Sequence, residues 1–302
     1  MKNYMFIFLA LFLTITFFAH SAEAKIHVFA CGPEWASLTR EIAGDRVTIF
    51  SATTARQDPH TVTARPSLIA QMRRADLVIG AGGELEMGWL PILLQKAGKS
   101  SVQMNAVNNI MASNYIRRLE VPERIDRSMG HIHAAGNPHV HLNPNNLLII
   151  ADVILARLVA LDSANRSFFE ERNRAFKSKM QERIRTWTKQ AESLKGMTII
   201  VHHPNMAYLY DWLGIVYVAT LEPRPGVPPT SRHLSGLVDV AKNRNVALIE
   251  HVTHESPKSA QWLSGQTGIP KVEMPFTVGA LGTKDFFDVF EKSIQILLSR
   301  SN

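Results

Sequence analysis

The sequence holds a single cysteine, Cys31, in 302 residues. A disulfide within the chain needs two, so packing rather than cross-linking must hold the fold together. Long apolar runs are equally scarce: beyond the first two dozen residues, no stretch approaches the roughly 20 apolar residues that a membrane span requires. Runs of one charge sign are also missing. The net charge is +7, yet Lys and Arg are scattered, without a basic helix or an aromatic-interleaved stripe, which excludes the usual footprint of a nucleic-acid binder. Neither a His-Glu-x-x-His segment nor a Gly-x-Ser-x-Gly elbow occurs, so two common hydrolase signatures are absent. What remains is ordinary globular composition, 46% hydrophobic and 20% charged, which sets aside disorder, collagen and coiled coil.

Residues 1–24 read as a separate object. Lys2, the apolar run from Phe6 to Phe18 and the small-residue pattern Ala22-Glu23-Ala24 predict a cleavable secretory signal. Its removal takes away Lys2 and Glu23, one charge of each sign, and leaves the net charge at +7. The mature chain is expected to be exported and not membrane-embedded. Lys25 and His27 separate Cys31 from the apolar run, which argues against a lipid-modified N-terminus. An unanchored exported protein is retained only behind an outer membrane, so the periplasm is the expected compartment.

Short β-branched runs alternate with longer helical patterns. Strands are expected at Ile26–Ala30, Val47–Phe50 and Asp76–Ile79, and helices at Glu34–Ala43, Pro66–Arg74 and Leu85–Lys96, with Pro opening and Gly closing several of them. The rhythm returns with strands at Thr198–Val201, Ile215–Thr220, Ala247–Val252 and Lys271–Met274, and helices at Pro204–Leu213, Ser231–Asn243, Pro257–Thr267 and Lys284–Ser299. Such alternation implies parallel sheet. Between the halves no strand candidate occurs, and Phe168, Phe169, Phe176, Met180, Ile184, Trp187 and Leu194 form an apolar stripe near helical spacing. The expected architecture is therefore α/β: an N-terminal lobe over 25–160, a long connecting helix over 161–195 and a C-terminal lobe over 196–302. Ligands of open parallel sheets sit beyond the carboxyl ends of the strands, here in the cleft between two lobes.

The histidines fall in those loops. His60 stands in Asp58-Pro59-His60; His139 and His141 stand in Asn137-Pro138-His139-Val140-His141; His202-His203 follow a strand; His251 lies near the end of another and His254 follows it. Neutral imidazole is the commonest protein ligand for zinc, and three or four ligands from separate loops complete a site. Pro59 pre-sets the backbone before His60. If the segment around His139 is extended, His139 and His141 point to one face, whereas the neighbours His202 and His203 point apart, so only one of that pair can ligate well. Glu250, at a strand end, and Glu222 are the acidic candidates for a fourth position. The loop Ser128–Gly136, with His131 and His133, has the composition of a mobile segment that captures metal weakly before delivery. Cys31 reads as a small buried hydrophobe rather than a ligand.

Asp58-Pro59-His60 followed by Arg65-Pro66-Ser67-Leu68-Ile69-Ala70, then Pro138-His139-Val140-His141-Leu142-Asn143-Pro144, then His203 with Tyr208 five residues on, resemble the ligand segments of the zinc/manganese solute-binding proteins of bacterial ABC importers, the TroA-like family. Leu221-Glu222-Pro223-Arg224-Pro225-Gly226 and Met274-Pro275-Phe276-Thr277-Val278-Gly279 are similar to a branch of it. The resemblance covers nearly the whole mature chain. It implies two α/β lobes bridged by a backbone helix with limited domain motion, and metal ligands at His60, His139 and His203. It further implies a monomer that delivers its ion to a membrane permease powered by a separate ATPase. Two departures stand out: position 141 is His where the family often has an aromatic residue, and Met274–Gly279 offers no carboxylate. Glu250, His141 or water is left for the fourth position. Three imidazoles favour Zn²⁺ over Mn²⁺, whose sites take more carboxylate oxygen.

The rival reading is an enzyme, a barrel-type zinc hydrolase using His139-x-His141 as its strand-end metal pair. Such a pair belongs near the first strand of eight continuous units, and here it lies mid-chain before a strandless stretch. A metal chaperone or adhesin on the same scaffold is a third reading.

Overall fold

The computed structural model describes residues 25–122 and 133–300; the expected signal segment 1–24 and His131 lie outside the described residues. In the first lobe β1 (Ile26–Ala30), β2 (Val47–Ser51), β3 (Leu77–Gly80) and β4 (Asn109–Met111) alternate with α1 (Pro33–Ala43), α2 (Pro66–Arg74) and α3 (Leu90–Ala97). After α4 (Pro144–Leu161) and α5 (Arg166–Gln190), the second lobe alternates β5 (Thr198–Val201), β6 (Val216–Thr220), β7 (Leu248–Val252) and β8 (Lys271–Met274) with α6 (Ala207–Leu213), α7 (Ser231–Asn243), α8 (Lys258–Thr267) and α9 (Phe286–Leu298). Both sheets are parallel and have the same topology, β2-β1-β3-β4 and β6-β5-β7-β8. All strand C-termini of a lobe therefore open on one side, which is where the histidine loops emerge.

Local chemistry explains the element ends. Pro33, Pro66 and Pro144 each occupy the first turn of their helix, where the missing N–H costs nothing. Gly98, Gly214 and Gly268 close α3, α6 and α8 in the left-handed region. Strands β3 and β7 are buried along their whole length, as expected of strands covered on both faces.

The connecting helix expected over 161–195 is found as α5, flanked by 3-10 turns at Ser163–Asn165 and Glu192–Leu194, and α4, to which no element was assigned from the sequence, precedes it and packs against it. Asp162 leaves the helical region, and its carboxylate accepts the main-chain N–H of Asn165 at 3.1 Å, starting a new turn before α5. Helix α4 also corrects the expectation about apolar runs: Pro144–Leu161 is long and apolar enough, by length and composition, to cross a membrane, at mean hydropathy 1.6. Its Leu147, Ile150, Ile154 and Leu158 are fully buried and the helix packs on α1 and α5; burial of each such side chain contributes about 1.5–3 kcal/mol.

Helix α5 joins the lobes. Near its start Phe169 is buried, and Arg172 Nε donates to the carbonyl of Glu41 in α1 at 2.9 Å. Near its end Trp187 packs on Phe290 of α9, with centroids 5.4 Å apart, and on Trp212, and its Nε1 donates to Glu291 at 2.9 Å. One continuous core runs from β1 through α4 and α5 to α9, and a smaller one lies under α7 and α8.

Candidate metal centre

His60 follows β2 in a turn built by Asp58. The Asp58 Oδ1 accepts the main-chain N–H of His60 at 2.9 Å and lies 2.8 Å from its ring Nδ1, an Asx turn closed on its own imidazole. Burial would raise the Asp58 pKa, but the hydrogen bonds and charge of His60 outweigh it and hold the carboxyl at about 2. Trp89 Nε1 donates to the Pro59 carbonyl at 3.1 Å and pins the loop from behind.

His203 follows β5 and has the matching device. Its Nδ1 lies 2.9 Å from Glu222 Oε2, and that oxygen also accepts the Gly226 N–H at 2.9 Å. Burial works against the ionised carboxyl of Glu222, yet these bonds keep its pKa below the usual value. In both pairs the carboxylate engages Nδ1 and so leaves Nε2 of the imidazole as the nitrogen whose lone pair can bind a metal.

His139 enters from the segment after β4. It is 1% exposed, and neither ring nitrogen has a partner. Burial, followed by the surrounding His60, His141 and His203, drives its pKa well below the ordinary value, so the ring is neutral. A buried imidazole with both nitrogens unsatisfied is costly unless something binds it.

The three meet. One ligand nitrogen from each of His60, His139 and His203 lies within 4.8 Å of the other two, and the His60 ring centroid is 5.7 Å from that of His139 and 5.9 Å from that of His203. Tetrahedral zinc with Zn–N bonds near 2.0–2.1 Å needs nitrogens roughly 3.3 Å apart. Closing the cluster requires movements of about an ångström, and the donor set fits that ion.

Other sequence candidates lie elsewhere. Glu250 does not join the cluster: it is fully buried on β7, where burial pushes its carboxyl pKa up, and its oxygens complete no hydrogen bond although Tyr210 neighbours it. The reason is strand alternation, since its carbonyl side serves β5 through the His202 N–H at 2.8 Å while the side chain enters the lobe interior. His141 also departs from expectation. Residues Val140–Leu142 form a 3-10 turn rather than an extended stretch, so the His139 and His141 rings are perpendicular at 89°, and His141 Nε2 lies 3.0 Å from the Phe276 carbonyl oxygen. His202 is outside the cluster, with Nε2 at 3.9 Å from Glu222 Oε1. Cys31 is buried, and burial raises its thiol pKa well above the usual value.

Three further contributors come from residues to which sequence reading gave no role at the site or an open one. His133 brings its Nε2 to 3.2 Å from His60 Nε2, and the neighbouring Ala134 N–H donates to Glu84 at 2.7 Å. Phe276 stands edge-on to His139, His141 and His254, with centroids at 5.0, 5.1 and 5.1 Å. Asp58 is the third, and the Asp-x-His spacing of an Asx turn is its signal in the sequence. The cluster borders a cleft of about 720 Å³ lined by His60, His203, Glu222 and His254.

Residues 28–299 match the family described as ZnuA, zinc-uptake complex component A, periplasmic. The chain belongs to the ZnuA family. Its relatives include the zinc-binding lipoprotein AdcA of Streptococcus pneumoniae, 23% identical over 294 residues, covering 95% of this chain and 58% of AdcA. They also include the high-affinity zinc uptake system protein ZnuA of Bacillus subtilis, 24% identical, covering 92% of this chain and 88% of that protein. The chain thus spans little more than half the length of AdcA. A crystal structure of ZnuA, 22% identical, superposes with a TM-score of 0.78 over 92% of this chain and all of that one. A cadmium-bound periplasmic metal-binding protein from Candidatus Liberibacter asiaticus, 17% identical over the same share of this chain, gives 0.74. Both likenesses support the two-lobed fold of the ZnuA family, and the chemistry rests on the histidine cluster.

Proposed function

We propose that this protein is the periplasmic receptor of a zinc ABC importer: it captures one Zn²⁺ between its lobes through His60, His139 and His203 and hands it to a membrane permease driven by a separate ATPase. The observation that carries the reading is the convergence of three imidazole nitrogens from both lobes within 4.8 Å. Zinc is the cargo, bound and released unchanged, and no bond in a substrate is made or broken. Nitrogen donors favour zinc over manganese, in keeping with the zinc named for AdcA and the Bacillus protein, although the manganese ABC transporter substrate-binding lipoprotein PsaA of Streptococcus pneumoniae is also related at 28% identity over 53% of this chain.

In capture, His60 and His203 present Nε2 because Asp58 and Glu222 hold the opposite nitrogen, and His139 supplies a dry, unprotonated nitrogen at the back of the site. Binding needs only small ring movements, so little ordering entropy is lost. The test is a competition titration of metal-stripped protein beside His60→Ala, His139→Ala and His203→Ala. One tight zinc per chain, weakened strongly in each variant, is the expected result. Parental affinity in all three variants refutes the ligand set, and turnover of ester or amide substrates by the zinc-loaded protein would restore the hydrolase reading.

A further inference from the structure

Asn137 sits two residues before His139 and is 6% exposed. Its Oδ1 accepts the main-chain N–H of His139 at 2.9 Å. Its Nδ2 donates across the lobe boundary to the carbonyl of Pro204, the residue after His203, at 2.8 Å, and also to Glu120 Oε2 at 2.8 Å. Its main-chain carbonyl accepts the Tyr208 hydroxyl of α6 at 3.0 Å, and its own N–H donates to the Leu119 carbonyl at 2.8 Å. Tyr208 closes the loop by accepting the Leu119 N–H at 3.0 Å.

We propose that Asn137 is a positioning residue that sets the spacing between the His139 and His203 segments, and through it the affinity and geometry of metal binding; this rests on the ligand set proposed above. One primary amide joins the main chain of one ligand segment to the main chain of the other. The requirement for Asn is chemical. Two acceptors, a carboxylate and a carbonyl, converge on Nδ2, and one N–H faces Oδ1, so the position needs two donors and an acceptor on a short side chain. Asp has no donor, Ser and Thr have one, and Gln is a methylene longer. The partners also fix which amide atom is nitrogen. Zinc–nitrogen distances tolerate only about 0.2 Å, so a shift of one segment by an ångström is read directly by the ion.

The experiment uses Asn137→Asp, which keeps an acceptor for His139 but turns a carboxylate toward Glu120 and Pro204. Zinc competition titration and the visible d–d spectrum of the cobalt(II) form are measured on the whole mature chain, with circular dichroism and thermal melting of the metal-free form. The expected result is one zinc held 10–100-fold more weakly, the loss typical when support behind a ligand is removed, with an altered cobalt spectrum and parental circular dichroism. Asn137→Ser, which adds no charge, carries the same expectation and decides the matter if the Asp variant does not fold. Parental affinity and an unchanged cobalt spectrum in the folded variant overturn the proposal. The histidine variants are titrated alongside: if they leave zinc binding intact the ligand set fails, whereas if they abolish it and the Asn137 variants bind as the parent, only the positioning role fails.

Discussion

The Asp58 carboxylate holds both the main-chain N–H and the ring Nδ1 of His60 through a single oxygen, at 2.9 and 2.8 Å. In the opposite lobe Glu222 engages the ring Nδ1 of His203 at 2.9 Å and accepts the main-chain N–H of Gly226 rather than that of the histidine. Each outer imidazole thus arrives with tautomer and direction fixed before any ion is present.

Removing that support should weaken binding without removing a ligand. Asp58→Ala and Glu222→Ala are expected to lower zinc affinity about 10–100-fold each while stoichiometry stays at one. Competition titration checks this, and affinities within twofold of the parent would show that the carboxylates do not orient the rings.

The lobe connection depends on Trp187, which is fully buried against Phe287, Phe290 and Trp212. Trp187→Ala should cost about 3–5 kcal/mol of unfolding free energy, read by urea denaturation of metal-free protein. A loss below 1 kcal/mol would mean that the α5–α9 packing contributes little.

Thr277, in the segment after β8, donates through Oγ1 to the buried Glu34 of α1 at 2.6 Å, tying the second lobe to the first. Thr277→Val keeps the shape and strands the carboxylate. The expected cost is about 1–3 kcal/mol; an unchanged denaturation midpoint would show that Glu34 finds another partner.

Burial lowers the pKa of His141, His202, His251 and His254, the last to about 4. An unfolded histidine titrates near 6.5, so the unfolded chain takes up protons that the folded chain refuses. The share of stability that these four imidazoles contribute is therefore full above pH 6.5 and is lost as pH falls from there through 4. For His254 alone the loss between pH 7.5 and 5 is about 2 kcal/mol. Denaturation of chelator-treated parent and His254→Gln at the two pH values measures it, the parent's change on going to pH 5 being less favourable than the variant's by that amount.

Much of this was legible in the chain. Helices α2 and α7 and strands β5 and β8 lie where their Pro, Gly and β-branched signals put them, because local steric rules and tertiary packing agree there. Strand β4, only Asn109–Met111, escaped because three residues carry no periodicity. Helix α4 escaped because Pro144–Leu161 is apolar along most of its length, with few polar residues to mark a solvent face. At the site, the residue types and their segments were readable, whereas ring direction was not: the 3-10 turn that separates His139 from His141, and the inward alternation of Glu250, are set by register rather than by spacing.

Helix α5 has one end buried in each half of the molecule, on α1 at the start and on α9 at the finish. A strut clamped at both ends does not act as a door pin. Swinging the halves apart would expose the aromatic stack around Trp187, so under the function proposed above an ion would leave by local rearrangement of the histidine-bearing loops, and the rim those loops form would be the surface a permease grips.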